Sequence, residues 1–251
     1  MNIEKSFTFP FEDKQWISKL GLGAVIGLVP ILNFAWSGYM IGIIRNVMNN
    51  MTEPLPTWDD LGKKFSDGLI LFAAGLVYAL PLLVVICLPM SIMAFSGLLS
   101  GNSNFEDIAQ RIGQAGGALF YCLVCVFALY VLGLSVVYPA ILVLFSREGT
   151  FASCFKLREA FDLISKNAAS FFTAWGLSLV AGLGVGLVLG VFNAFIGWIP
   201  CIGWAIGLVL SFGSGVYITA VYSHLFGQFG ATAFRPLQLP SVNTPSLQEP
   251  T

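Results

Sequence analysis

Hydrophobic positions run without interruption through four parts of the chain: residues 20–44, 68–105, 112–146 and 167–234 contain no Asp, Glu, Lys or Arg. A hydrocarbon core of about 30 Å takes roughly 20 helical residues at about 1.5 Å each, so runs of this length predict membrane-crossing helices. The last run, 68 residues, would be about 100 Å long as one helix and must fold back at least once. The sequence WIPCIGW, residues 198–204, supplies the turn. Pro200 ends a helix, Gly203 can take a positive φ, and Trp198 and Trp204 suit a membrane interface. Long spans are therefore expected near residues 69–95, kinked by Pro81 and Pro89, and near 114–145, 171–197 and 204–228.

An internal repeat clarifies the first run. GLVPILNFA, residues 27–35, aligns with GWIPCIGWA, residues 197–205. Pro30 matches Pro200, and Asn33 stands where the second copy has Gly203, both residue types that visit the left-handed region at modest cost. The first run thus reads as a helical hairpin turned at Pro30 and Asn33. Its arms, residues 11–27 and 34–50, have 17 residues each, about 25 Å, just short of a crossing. The hairpin is either re-entrant or a thin pair of spans. Lys19 and Arg45 lie in these arms and are expected to snorkel toward the headgroups.

Positive charge orients the chain. With the hairpin, 11 of the 12 Lys and Arg residues fall on one face and Arg111 alone on the other. A single crossing there would divide them 8 to 4. The positive-inside rule then places both termini in the cytoplasm of a multi-pass cell-membrane protein.

Composition agrees and removes other classes. Hydrophobic residues make up 57% and charged residues 10%, against roughly 45–50% and about 25% in soluble chains. A net charge of −1 gives no field for a nucleic acid partner. Five cysteines define no disulfide framework. The expected architecture is all-α: a polytopic integral membrane bundle over residues 1–234 with four long spans and an N-terminal short or re-entrant hairpin, six membrane helices in all. Residues 235–251 read as a disordered, Pro-rich cytoplasmic tail.

Small residues recur every four positions in the last two spans. Gly182, Gly186 and Gly190 belong to one stripe, Gly207 and Gly215 to the next, and close helix packing between them is expected. Two amphipathic segments should lie at the interface. In EPLPTWDDLGKKFSDGL, residues 53–69, Thr57 is a good N-cap, and Trp58, Leu61, Phe65 and Leu69 share one face. Trp58, Asp59, Asp60 and Asp67 form a candidate functional surface, whose carboxylates either bind a cation or headgroup amine or simply cap and solubilise. The second segment, residues 149–167, puts Cys154, Leu157, Phe161, Ile164 and Ala168 on an apolar face. It lies on lipid or packs on the bundle.

These residues carry a resemblance. Asp13 and Trp16, the VPILN turn, Gly38-Tyr39, Arg45 and above all LPTWDDLGKKFSDGL resemble a prokaryotic family of multi-pass membrane proteins known as a domain of unknown function. The resemblance implies an all-helical membrane domain and no particular activity, substrate or cofactor.

No catalytic constellation, cofactor motif or metal site is recognisable. His224 is the sole histidine and reads as an interfacial polar group. Cys122 and Cys125 lack further ligands and read as small packing residues. The chain is therefore expected to be a non-enzymatic membrane scaffold or interaction protein, with membrane lipids and a membrane protein or second copy as partners. The alternative is a transporter or handler of lipid or other apolar or amphiphilic small molecules. The scarcity of deep charges disfavours ion coupling, while the proline-broken helices keep a path open for an apolar cargo.

Overall fold

The computed structural model describes residues 2–99, 105–199 and 201–234, and every regular element among them is helical. In order these are α1 (Ile3–Glu12), α2 (Trp16–Leu28), α3 (Asn33–Met48), α4 (Leu61–Leu99) and α5 (Phe105–Glu148). A 3-10 turn, Phe151–Phe155, leads into α6 (Leu157–Lys166), α7 (Ala168–Ile196) and α8 (Ile202–Ala233). Four helices are long and apolar enough to cross a membrane: Leu61–Val84 within α4, Val124–Glu148 within α5, α7 and α8. The expected tail, residues 235–251, lies outside the described residues, as do Pro200 and residues 102–104 of the expected outer loop.

The two expected hairpins form, with different backbone at the turns. Asn33 is the first residue of α3 rather than a left-handed turn residue, and Leu32 before it is already helical. In the second turn the positive φ belongs to Cys201, at 63°. Gly203 instead starts α8 against the Ile196 backbone carbonyl, where a Cβ would collide. It is there for close approach, not for a left-handed conformation.

The short helix α3 is the centre of the molecule. Tyr39, Ile41, Ile43 and Ile44 are fully enclosed, and α3 packs on α2, α4, α5 and α8. Against α4 the contact is backbone to backbone: a Cβ on Gly38 would strike the Lys64 carbonyl, and one on Gly68 the Phe34 carbonyl. Against α8 the two helices run parallel. Asn33 and Trp36 lie beside Ser211 and Gly215, Val47 sits 2.6 Å from the Cβ position of Gly227, and Met48 sits 2.9 Å from that of Gly230.

That register fixes how far the first hairpin reaches. Its tip stops beside Ser211 and Gly215, leaving residues 202–210 of α8, about 14 Å of helix, beyond it. Burial changes at the same level. Val216, Ala220, Val221, Leu225, Phe226 and Phe229 are buried, whereas Trp204, Ile206, Leu208, Val209, Leu210 and Phe212 are exposed. In α7 only Phe171 and Ala174, near its start, are buried. The protein thus has a packed base, where the first hairpin joins the long helices, and a far half where α7 and α8 project beyond the hairpin tip.

α7 and α8 pack on each other, but the glycine stripes are enclosed between them only near the turn. A Cβ on Gly182, Gly186, Gly190 or Gly215 would meet nothing within 4 Å; of the five, Gly207 alone is enclosed, against the Asn193 side chain. Gly23, Gly38, Gly42, Gly68, Gly227 and Gly230 are crowded on or against α3. The first amphipathic segment differs as well: Leu61 begins a continuous α4, with no separate surface helix before it. Its inward face carries Lys64, Asp67, Leu71 and Ala74, while Leu61, Leu69, Phe72 and Leu76 face outward. With lipid outside, the apolar stripe marks the outer face. The second segment packs on the bundle through Ala160, Leu163 and Ile164, leaving Leu157 and Phe161 exposed.

Gly38→Ala is expected to lower the detergent-solubilised thermal midpoint sharply, since backbone must move to admit the methyl, a cost of about 1–3 kcal/mol or more. Gly186→Ala should leave it unchanged or raise it slightly. Equal effects of the two would refute the packing described.

Candidate functional site

The base of the first hairpin is where polar chemistry concentrates. Between α1 and α2 the chain breaks at residues 13–15, and the Asp13 carboxylate caps the break by accepting from the Gln15 backbone N–H at 2.8 Å. Its second oxygen pairs with the Lys19 ammonium at 2.6 Å, with the two side chains 4% and 8% exposed. Lys19 also donates to the Leu55 carbonyl at 3.2 Å. Expected to snorkel outward, Lys19 turns inward instead. A buried charge needs a carboxylate and a carbonyl in contact more than it needs the headgroup region.

The loop between α3 and α4 supplies the other wall. Asn46 donates to the Pro54 carbonyl at 3.0 Å, and Pro56 lies against Gly42. The Trp58 indole N–H donates to the Lys19 carbonyl at 2.8 Å, and its ring stacks on Tyr39 with centroids 4.5 Å apart. Trp36 stacks on Tyr39 as well, at 5.2 Å. Gly23 leaves room for Trp36, which lies 2.5 Å from the position a Cβ would take. Three aromatic rings from α3 and the loop thus hold α2 against α3. Inside them the Tyr39 hydroxyl is buried without a hydrogen-bond partner among the described residues.

Arg45 closes the opposite side. Its guanidinium donates to the Asp67 carboxylate at 2.5 Å and to the Ser146 carbonyl near the end of α5 at 2.9 Å. It too was expected to snorkel, and it instead ties α3, α4 and α5 together. Its planar group, with several donors in a fixed fork, meets both acceptors at once.

The candidate surface of Trp58, Asp59, Asp60 and Asp67 is therefore divided. Trp58 and Asp67 are internal ties, whereas Asp59 and Asp60 are exposed at the start of α4, where the Asp60 carbonyl accepts from Lys64 N–H at 3.2 Å. No group of three or more His, Cys, Asp or Glu residues suited to a metal occurs among the described residues. Sequence reasoning missed Asp13, Lys19, Tyr39 and Arg45 as one constellation. The available signal was an acid in a neighbouring segment for each deep base.

Two further sites carry polar groups. His224 is 3% exposed, stacked on Phe9 with centroids 4.3 Å apart, and so belongs to the interior rather than the interface. Cys122 and Cys125 are free and exposed on α5, so they do not pack internally. Cys154 is enclosed, and burial pushes its thiol up to about 11, which leaves it unreactive at neutral pH. Apolar walls bound a cavity of about 350 Å³ between the hairpin tip and α8, with Asn33, Ser211 and Thr219 as its polar groups.

Removing one partner of the Asp13–Lys19 pair strands a buried charge. Lys19→Met and Asp13→Leu are each expected to cost about 3–5 kcal/mol, and the double variant to recover most of it. Thermal unfolding of the purified protein checks this; additive losses would show that the two do not act as a pair.

Comparison with known proteins follows the same residues. No curated protein and no solved structure matches the chain. One family pattern matches residues 22–194, which takes in α3, the Trp58 loop, Arg45, Asp67 and both middle spans. The chain belongs to the family described as Protein of unknown function (DUF4013).

Proposed function

We propose that this protein is a non-enzymatic membrane scaffold, an asymmetric support for a membrane partner or for the lipid around it, with both termini on the cytoplasmic side. The observation that carries this reading is the change in burial along α8 at Val216. Below it α2, α4, α5 and α8 pack around α3; above it the large apolar side chains of α8 from Trp204 to Phe212 are exposed. Such a body occupies more area in one leaflet than in the other. It also offers, in the far half, apolar helix surface that a partner or lipid covers. Every described polar constellation ties helices together at the base, in keeping with a structural role.

The orientation draws support from charge. Lys5, Lys19, Arg45, Lys63, Lys64, Arg147, Lys156, Arg158 and Lys166 belong to the base end or the loops beside it, and the positive-inside rule assigns that end to the cytoplasm. Membrane-impermeant labels on single cysteines at Gln15 and Asn50 should react from the same face; labelling from opposite faces would overturn the arrangement.

A second reading has one observation in its favour. The cavity of about 350 Å³ between hairpin and α8 suits an acyl chain or another apolar molecule, as a lipid-handling protein or carrier would need. Native mass spectrometry of the protein released from mild detergent separates the two. A stoichiometric protein partner or a second copy sustains the scaffold. A retained apolar small molecule, followed by its flux across liposomes, would replace it with transport.

A further inference from the structure

After α5 the chain reverses at Gly149, whose φ is 69°, and the 3-10 turn Phe151–Phe155 packs on both α4 and α5. Two contacts fix its depth. The Tyr78 hydroxyl donates to the Cys154 carbonyl at 2.7 Å, and the Tyr78 ring stacks on Phe155 with centroids 5.5 Å apart. Tyr78 stands ten residues into the uncharged run that begins at Gly68, about 15 Å along α4, and its side chain leans back over about one turn. The 3-10 turn therefore lies beside uncharged helix, deeper than Asp67, the last charge of α4. Phe151, packed edge-on against Phe155 at 5.0 Å, is nonetheless exposed.

The helix that follows has three sides. Ala160, Leu163 and Ile164 are buried in the bundle. Leu157 and Phe161, one turn apart, border that buried stripe and are exposed, Phe161 to 56%. Arg158, Asp162 and Lys166 lie farther round the helix, at about 100° per residue, and are exposed as well. A helix that faced only water would need no second apolar edge once its first was packed. Exposed apolar surface resumes at Phe172, in the second turn of α7.

Charge adds an independent sign. Lys156 is taken up by Glu148 and Glu159, at 2.8 and 3.2 Å. Arg158 and Lys166 form no ion pair among the described residues, and on their side of α6 they face one carboxylate, Asp162. Aromatic and aliphatic side chains on one edge with unpaired bases on the next are what an element at an anionic bilayer surface presents. A water-soluble protein covering Leu157 and Phe161 would leave out Phe151, which the Tyr78 contacts hold beside the span. We infer that residues 151–166 are a lipid anchor: Phe151, Leu157 and Phe161 lie among acyl chains, and Arg158 and Lys166 meet the phosphates of anionic phospholipids. These contacts are separate from the apolar far half, whose occupant they leave open.

A photoreactive benzoylphenylalanine in place of Phe151 or of Phe161 reads the contact in the full-length protein, reconstituted in liposomes of equal parts dioleoyl phosphatidylglycerol and dioleoyl phosphatidylcholine. After irradiation, mass spectrometry should find lipid adducts at both positions. At Phe161 the phosphatidylglycerol adduct should exceed the phosphatidylcholine adduct by about threefold or more, as for two basic residues beside an anionic headgroup. Arg158→Gln combined with Lys166→Gln should bring that ratio near one while lipid adducts persist, and Arg158→Lys combined with Lys166→Arg should keep it. All four side chains are exposed, so an unchanged thermal midpoint verifies that folding is intact. Crosslinks to a second copy in place of lipid, no lipid adduct at either position, or a phosphatidylglycerol preference that is absent or survives removal of both bases would each overturn the proposal.

Discussion

A charged side chain at membrane depth persists only where the protein itself meets it. Lys19 and Arg45 are both met. The first is held by Asp13 and the Leu55 carbonyl, the second by Asp67 and the Ser146 carbonyl. These contacts attach the first hairpin at its base to α1, to the loop and to α4 and α5. Its reach is then set by helix length: α2 has 13 residues and α3 has 16, about 20 and 24 Å. A hairpin anchored this way stops beside Ser211 and Gly215, short of the far end of α8. What keeps it there is close contact on both sides of α3, the Gly38 and Gly68 backbone approaches to α4 and the Gly227 and Gly230 approaches to α8.

The solvent outside explains which parts of this could be read from the sequence. Uninterrupted apolar runs and two matching turns gave the four long apolar helices in order and the short hairpin before them, read as either re-entrant or a thin pair of spans. Facing was less legible. A reading of this stretch as a separate interfacial helix lays Leu61, Phe65 and Leu69 on one apolar face, whereas the structure makes it the start of α4 and encloses Lys64, Asp67 and Leu71. The glycine stripe misled for a related reason. Small residues permit close approach but do not demand it, so Gly182, Gly186 and Gly190 stay open while Gly38 and Gly68, outside the two stripes of α7 and α8, are crowded. Asp13 and Lys19 escaped notice because a helix break brings them together, and no helical spacing signals a pair six residues apart.

The motif that carries the family resemblance acquires a physical meaning. Trp58 caps the Lys19 carbonyl and stacks on Tyr39, Gly38 and Gly68 bring α3 and α4 into backbone contact, and Asp67 receives Arg45. Together they form the clamp on the first hairpin. Asp59 and Asp60, the most conspicuous letters of the motif, remain on the surface. The long helices supply the membrane span, and the clamp supplies the asymmetry between the two halves of the molecule, which is the property a scaffold would use.

The depth of the hairpin tip is the central claim, and a nitroxide on Ile31 reads it directly, since that side chain is 68% exposed and tolerates a label. In oriented liposomes, power saturation should find the label accessible to oxygen and shielded from a water-soluble nickel chelate on either side, as for a site inside the hydrocarbon. Strong collisions with the chelate from the face opposite the termini would mean that the hairpin crosses the bilayer, and would contradict the account.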